Sequence, residues 1–334
     1  MPLSRQAMRG RKMSEMDNVN MIELTDGFLS VGILPMAGGR IVSLRREDGC
    51  NLLKSDPALW TADCPVPSAQ LLDFTAYNGH EVWVGPQSQW WKHQDINLEK
   101  RESDLFWPPD PYISYGRYRI TSRTACSLVM VGPDSPVSGI RFTKRISLDG
   151  RGGLRFEVEA CNIRPVPMAW DLWMLTRTDG HNPVFVPVAS PDEVRVGPPT
   201  HSYEGPAPYE VLKVGADAYF TFTPELRDAS FSASTAKAFI HPCRPFMATL
   251  SGDSLLVIHF EHHDQQLLHP EQTEVELYNY ASEDAAALME MEYHAPYVLL
   301  QPGQTMSACE FWQVLPYVGS RTREDICRAL KEVN

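Results

Sequence analysis

Glu290 and Glu292 stand two residues apart in Met289-Glu290-Met291-Glu292, where alternation puts both carboxylates on one face of a strand and both methionines on the other. Like charges that close raise each other's pKa, so the pair needs cations, a hydroxyl-rich ligand or water around it. That chemistry is general acid–base catalysis; a solvated strand face is the plain alternative. His80, His181 and His241 add side chains that titrate near neutrality. A second concentration runs from Tyr77 to Trp91 and from Phe106 to Pro111, where Trp83, Trp90, Trp91 and Trp107 sit beside Gln87, Asn78 and His80. Indoles with amide neighbours complement a sugar, whose C–H face stacks on a ring and whose hydroxyls need acceptors. Plugging one end of a sandwich is the competing role for these rings.

These groups need elements to hold them. The frequency of Pro and Gly from Tyr77 to Trp91 predicts display from loops rather than from a core strand. Strand patterns run over Phe28 to Leu34, Arg40 to Leu44, Tyr118 to Ser122, Cys126 to Val131, Ile140 to Leu148, Leu154 to Cys161 and Met168 to Leu175. They continue over Ala218 to Phe222, Phe246 to Leu250, Leu255 to Phe260, Glu274 to Tyr280 and a C-terminal pair around Pro302-Gly303. So many strands exceed one open sheet and predict two packed antiparallel sheets, an all-β fold. The stretch from Asn182 to Pro208 reads as a long ordered loop. A short C-terminal helix over Arg323 to Leu330 follows a hydroxyl cap at Ser320 to Thr322. No linker or repeat divides the chain, so residues 21–334 are expected to form a single domain behind a flexible tail at 1–20.

The chain has 334 residues and a formal charge of -12, without the basic stripe that nucleic-acid binding needs. Seven scattered cysteines, with no C-x-x-C, read as reduced thiols. With no apolar run at the N-terminus, a cytoplasmic location is expected and no membrane partner. His259, Glu261 and His263 share a strand face, but residues about 7 Å apart on a straight strand do not converge on one ion, so no metal is expected there. No nucleotide fingerprint or nucleophile motif is present, and no cofactor is expected.

Leu34-Pro35 with Gly38-Gly39-Arg40-Ile41, Asn51-Leu52-Leu53, the run Arg141 to Cys161 and the run Met289 to Val314 occur in an order that resembles the galactose-mutarotase-like (aldose 1-epimerase-like) superfamily. The resemblance covers about Met21 to Pro316, and the Trp-rich blocks look like an uncharacterised branch. It implies an antiparallel β-supersandwich whose concave face binds a sugar or oligosaccharide, with Glu292 as the base at the anomeric hydroxyl and Glu290 as second choice. The acid in that family is a strand histidine; here Trp170 or a neighbour holds its position, and His80 is the substitute. Arg40, Trp83, Gln87, Trp90, Trp91, Trp107, Trp170 and His181 are the implied sugar contacts. Three functions fit: an anomeric epimerase, a non-catalytic sugar-recognition or regulatory protein, and a glycosidase or polysaccharide lyase, which needs a second carboxylate facing Glu292.

Overall fold

A computed structural model of the chain describes residues 21–47, 49–60, 64–71, 73–197, 205–226, 228, 230 and 232–333. The tail expected at 1–20 lies outside the described residues. In chain order the strands of the first half are β1 (Ile22–Thr25), β2 (Leu29–Leu34), β3 (Arg40–Arg46), β4 (His80–Gly85), β5 (Arg119–Arg123), β6 (Ser127–Val131), β7 (Ile140–Leu148), β8 (Gly153–Asn162), β9 (Met168–Asp179) and β10 (Val184–Val188). Those of the second half are β11 (Val194–Val196), β12 (Gly205–Pro206), β13 (Tyr209–Val214), β14 (Asp217–Phe222), β15 (Ala233–Ile240), β16 (Phe246–Ser251), β17 (Ser254–Phe260), β18 (Val275–Ser282), β19 (Leu288–His294), β20 (Val298–Leu300) and β21 (Thr305–Pro316). Among the described residues three short α-helices accompany them: α1 (Leu98–Glu102), α2 (Pro111–Tyr115) and α3 (Arg323–Leu330).

These strands make two large sheets. The first runs β1-β2-β3-β4-β9-β19-β18-β15-β11, with β12 also on β15 and β20 on β9. The second runs β13-β14-β10-β16-β17-β21-β8-β7-β6-β5. Pairing is antiparallel except between β12 and β15. Val82, Val84, Met174, Met289, Met291 and Leu277 from the first sheet meet Phe156, Val158, Ile258 and Trp312 from the second in one apolar core, whose burial is the main stabilising contribution. α3 is amphipathic, capped by the Thr322 hydroxyl accepting from the Asp325 N–H, and buries Ile326, Cys327 and Leu330. Among the described residues no helix is long and apolar enough to cross a membrane.

Two local expectations are corrected. His80–Gly85 is a buried central strand rather than a display loop. The Pro and Gly that suggest a loop fall at its edges: Gly79 has φ +72°, which forms the turn into β4, and Pro86 ends it. The stretch from Asn182 to Pro208, expected to be a loop, contains β10, whose five residues are all buried, and β11. All seven cysteines are unpaired.

Candidate functional site

Antiparallel register decides which side chains meet. Glu81 lies opposite Leu175, Leu175 opposite Glu292 and Glu292 opposite Glu276. One step along, Trp83 faces Trp173 and Trp173 faces His294; on the other side, Arg177 faces Glu290, Glu290 faces Tyr278, and Tyr278 faces Lys237. Directly opposed residues share a face, so one side of the first sheet carries nearly all of its charge and the other packs the core.

Two networks of alternating charge cross this floor. In the first, Arg40 Nη2 is 2.7 Å from Glu81 Oε2, Arg177 Nη1 is 2.6 Å from Glu81 Oε1, and Arg177 Nε is 2.6 Å from Glu290 Oε1. It joins β3, β4, β9 and β19. Burial raises the Glu81 carboxyl, but Arg40 and Arg177 outweigh it and hold the group below its ordinary value. In the second, Lys237 Nζ lies 2.7 Å from Glu276 Oε2 and 3.0 Å from Glu292 Oε2. Trp173 Nε1 donates to the same Glu292 oxygen at 2.8 Å. His294 places Nε2 3.7 Å from Glu276 Oε1 and Nδ1 3.3 Å from Asp171 Oδ2, with the Gln272 amide 2.9 Å from Nδ1. Gly85 makes this end possible, since a Cβ there would come within 2.4 Å of Asp171 Oδ1 and 2.3 Å of Gln272 Nε2.

The electrostatics follow from burial and partners. Burial pushes the Glu292 carboxyl up to about 7, helped by Glu290 and Glu276 and resisted by Lys237. Burial also opposes ionisation of Glu276, but Lys237 and His294 pull it well below the carboxylate range. His294 is lowered by burial and raised more strongly by Glu276 and Asp171, to about 9. Lys237, despite its desolvation, is held above its ordinary value by Glu276 and Glu292. Glu276, Glu292 and His294 offer ligand atoms within 4.8 Å of one another, a set that could hold a metal ion. Lys237 already brings a cation to both carboxylates, which balances the cluster's charge with protein groups alone.

Access separates these groups. Glu292, His294 and Asp171 are fully buried, whereas the side chain of Lys237 is 28% exposed and that of Glu290 16%. Lys237 opens on a pocket of about 170 Å³ shared with Gln87, Trp173, Phe239, Gln272 and Glu276. Its ammonium stands 4.8 Å over the Trp173 ring, a cation–π contact. Trp173 in turn packs edge-on to Trp83 at 5.2 Å, and Trp83 contacts Trp90 and Trp107. Trp107, 47% exposed, is the part of this aromatic wall that faces solvent.

The structure brings Glu290, Glu292, Arg40, Trp83, Gln87, Trp90 and Trp107 to this face or its wall. Arg40 is buried, with Ala37, Asn78 and Ser114 carbonyls accepting its remaining donors, so it supports Glu81 rather than reaching solvent. Trp90 is buried behind Trp83, its N–H donating to the Val84 carbonyl. The expected acid, His80, and three expected contacts are corrected. His80 faces the opposite side, between the sheets, where its Nδ1 pairs with Thr176 Oγ1 and its ring abuts Phe156 and Trp312; burial, with Lys144 next, keeps it neutral. Trp170 also points into the core and donates to the Ser138 carbonyl, because an even-numbered position on β9 faces away from Asp171 and Trp173. Trp91 is a buried plug bonded to the Pro108 carbonyl. His181 is exposed at the far end of β9, paired with Asp179 at 2.6 Å.

Sequence reading missed Trp173, Lys237, Glu276, His294, Asp171, Glu81 and Arg177. Signals for several are present in the chain. Asp171, Trp173, Arg177 and Asp179 share one parity of β9, and Lys237 interrupts the alanines of Ala236-Lys237-Ala238.

A family model described as a domain of unknown function (DUF4380) matches residues 19–315. Among solved structures, a galactose mutarotase related enzyme from Lactobacillus acidophilus superposes with a TM-score of 0.53 at 10% identity, covering 91% of this chain and 99% of that one. A galactose mutarotase-like protein from Lactobacillus casei gives 0.50 at 11%, over 88% and 100%. An aldose epimerase homologue from C. elegans gives 0.50 at 14%, over 89% and 99%. At these identities the likeness is one of fold. No curated protein matches the chain in sequence.

Proposed function

The chain belongs to the DUF4380 family and has the mutarotase-like fold, and from that premise we propose that it binds a sugar on the charged face of its first sheet and exchanges protons at the anomeric centre. The observation that carries this reading is the pairing of access with charge. Glu290, held by Arg177, and Lys237, beside Trp173, are floor side chains on one face that reach solvent. The sugar's C–H face stacks on the aromatic wall while its hydroxyls meet Gln87, Glu290 and Lys237.

Glu290 takes the role of base in preference to the more buried Glu292. It removes the proton of the anomeric hydroxyl as the Lys237 ammonium gives one to the ring oxygen and the bond from the anomeric carbon to the ring oxygen breaks. The open-chain carbonyl compound turns about its terminal carbon–carbon bond. Closure then reverses both transfers: the hydroxyl that becomes the ring oxygen returns its proton to Lys237 Nζ, and Glu290 returns its proton to the carbonyl oxygen, which becomes the anomeric hydroxyl of either anomer, so no atom is gained or lost. Arg177 orients Glu290; Glu292 and Glu276 hold the lysine charged and aimed. Glu276 lies opposite Glu292, but the ammonium between them makes the two acids an ion cluster rather than the facing pair of a glycosidase.

The full burial of Glu292 favours a second reading, sugar recognition without chemistry. Anomer-exchange NMR on free hexoses, pentoses and uronic acids separates the two. The enzyme reading expects acceleration that falls by about 10²–10⁴ in Glu290→Gln and Lys237→Met while binding persists. Binding without acceleration in the wild type selects recognition, and no interaction with any of these monosaccharides overturns the enzyme reading.

A further inference from the structure

The geometry points to an oligosaccharide, rather than a free monosaccharide, as the ligand class of this face, with a second subsite at the Asp179 end of β9. This inference rests on the sugar reading above and deepens it. The pocket at Trp173 and Lys237 is small, about 170 Å³. A much larger cavity of about 780 Å³ opens where Asp179 and Leu288 pair, its wall including Lys54, Asp56, Trp60 and Asn78. Asp179 and Leu288 have the same parity as Trp173, Arg177, Glu290 and Glu292, so their side chains lie on the site face. Trp173 and Asp179 are six residues apart, about 20 Å at about 3.3 Å per residue. One pyranose cannot touch both; a chain of several can.

The two cavities are parts of one construction. The Lys54 N–H donates to the Arg177 carbonyl and the Gly79 N–H to the Lys54 carbonyl, so the wall of the larger cavity is stitched to the residue whose guanidinium holds Glu290. Arg40, at the other end of that charge network, donates to the Asn78 carbonyl in the same wall. Glu290 therefore stands between the cavities, where a ligand spanning both must cross it. The lining repeats sugar-binding chemistry: an indole at Trp60, an amide at Asn78, and the charged groups Lys54, Asp56 and Asp179.

A glycan array on the intact protein identifies retained glycans. Calorimetric titration with one- to five-unit members of each retained series then measures the length dependence, for wild type, Trp60→Ala and Lys54→Ala. The expected result is at least a tenfold gain in affinity from one unit to four in the wild type. In both variants that gain shrinks while affinity for the single sugar stays as it was. Equal affinity for one unit and four overturns the extended site and leaves the sugar reading intact. Equal weakening at all lengths in both variants also overturns it, since both then act on the fold. Retention of no glycan overturns this inference together with the reading beneath it.

Discussion

Glu292 shows how burial and neighbours divide labour among like residues. It bonds Trp173 and Lys237 but is fully buried, so in the proposed mechanism it acts only through the lysine. Because Glu276 and Glu292 both hold Lys237 above its ordinary value, Glu292→Gln leaves one anion where there were two. Under the proposed mechanism, with Lys237 as the acid, the alkaline limb of the pH–rate profile is expected to move to lower pH, as read by anomer exchange across pH 7 to 11. Glu310 makes a separate prediction. It is fully buried, accepts from Trp312 Nε1, and burial raises it from 4.5 to about 8. A raised carboxyl binds its proton more tightly in the folded chain, so the stability it contributes is complete below about pH 4.5 and is lost as pH rises toward 8. Glu310→Gln should raise stability by on the order of 2 kcal/mol at pH 7 and leave it little changed at pH 4, as followed by denaturant melts at both. The sequence exposed the Glu290 and Glu292 face through simple alternation. It hid Glu276 and Lys237 because each is the lone charged residue of its strand, and only pairing shows that they converge.

β4 and β9 carry the corrections at the level of elements. On β9 the resemblance pointed to Trp170 or a neighbour, and a shift of one position reverses the face, so the choice between Trp170 and Trp173 is decided by pairing with β4 and β19. On β4 the same rule sends His80 inward and Glu81 outward. The turn before β4 fixes that parity. Gly79 has φ +72°, and a Cβ there would lie 2.1 Å from the Ile41 carbonyl oxygen. Gly79→Ala should cost more than about 1 kcal/mol and loosen the Arg40–Glu81 contact, measurable as a lowered Tm together with weaker sugar binding. By contrast, one long strand and the C-terminal helix were legible: β7 and α3 match their expected limits, since each combines an uninterrupted pattern with a clear turn or cap. β15 escaped notice, its alanines giving little contrast between faces.

At the scale of the whole molecule, the number of strand patterns indicated two packed sheets, and two are present. Strand order could not be read from local patterns, because β9 pairs with β4 and β19, which lie far from it in sequence. The net charge of -12 is distributed over a surface whose site balances its own acids with Arg40, Arg177, Lys237 and His294. A neutral glycan should therefore bind with the same Kd at 50 and at 500 mM salt, to within about twofold, because no counterions need be released. Titrations at the two ionic strengths test this; a steep salt dependence would mean that the ligand is charged.

The Arg40–Glu81–Arg177–Glu290 network links four strands drawn from both ends of the chain. Contacts this distant in sequence raise the contact order and are made only after the entropy of closing long loops has been overcome. No partly folded chain ending before β19 holds Glu290 in place. Competence therefore emerges at the close of folding, and a ligand that reads this network selects completed molecules over their precursors.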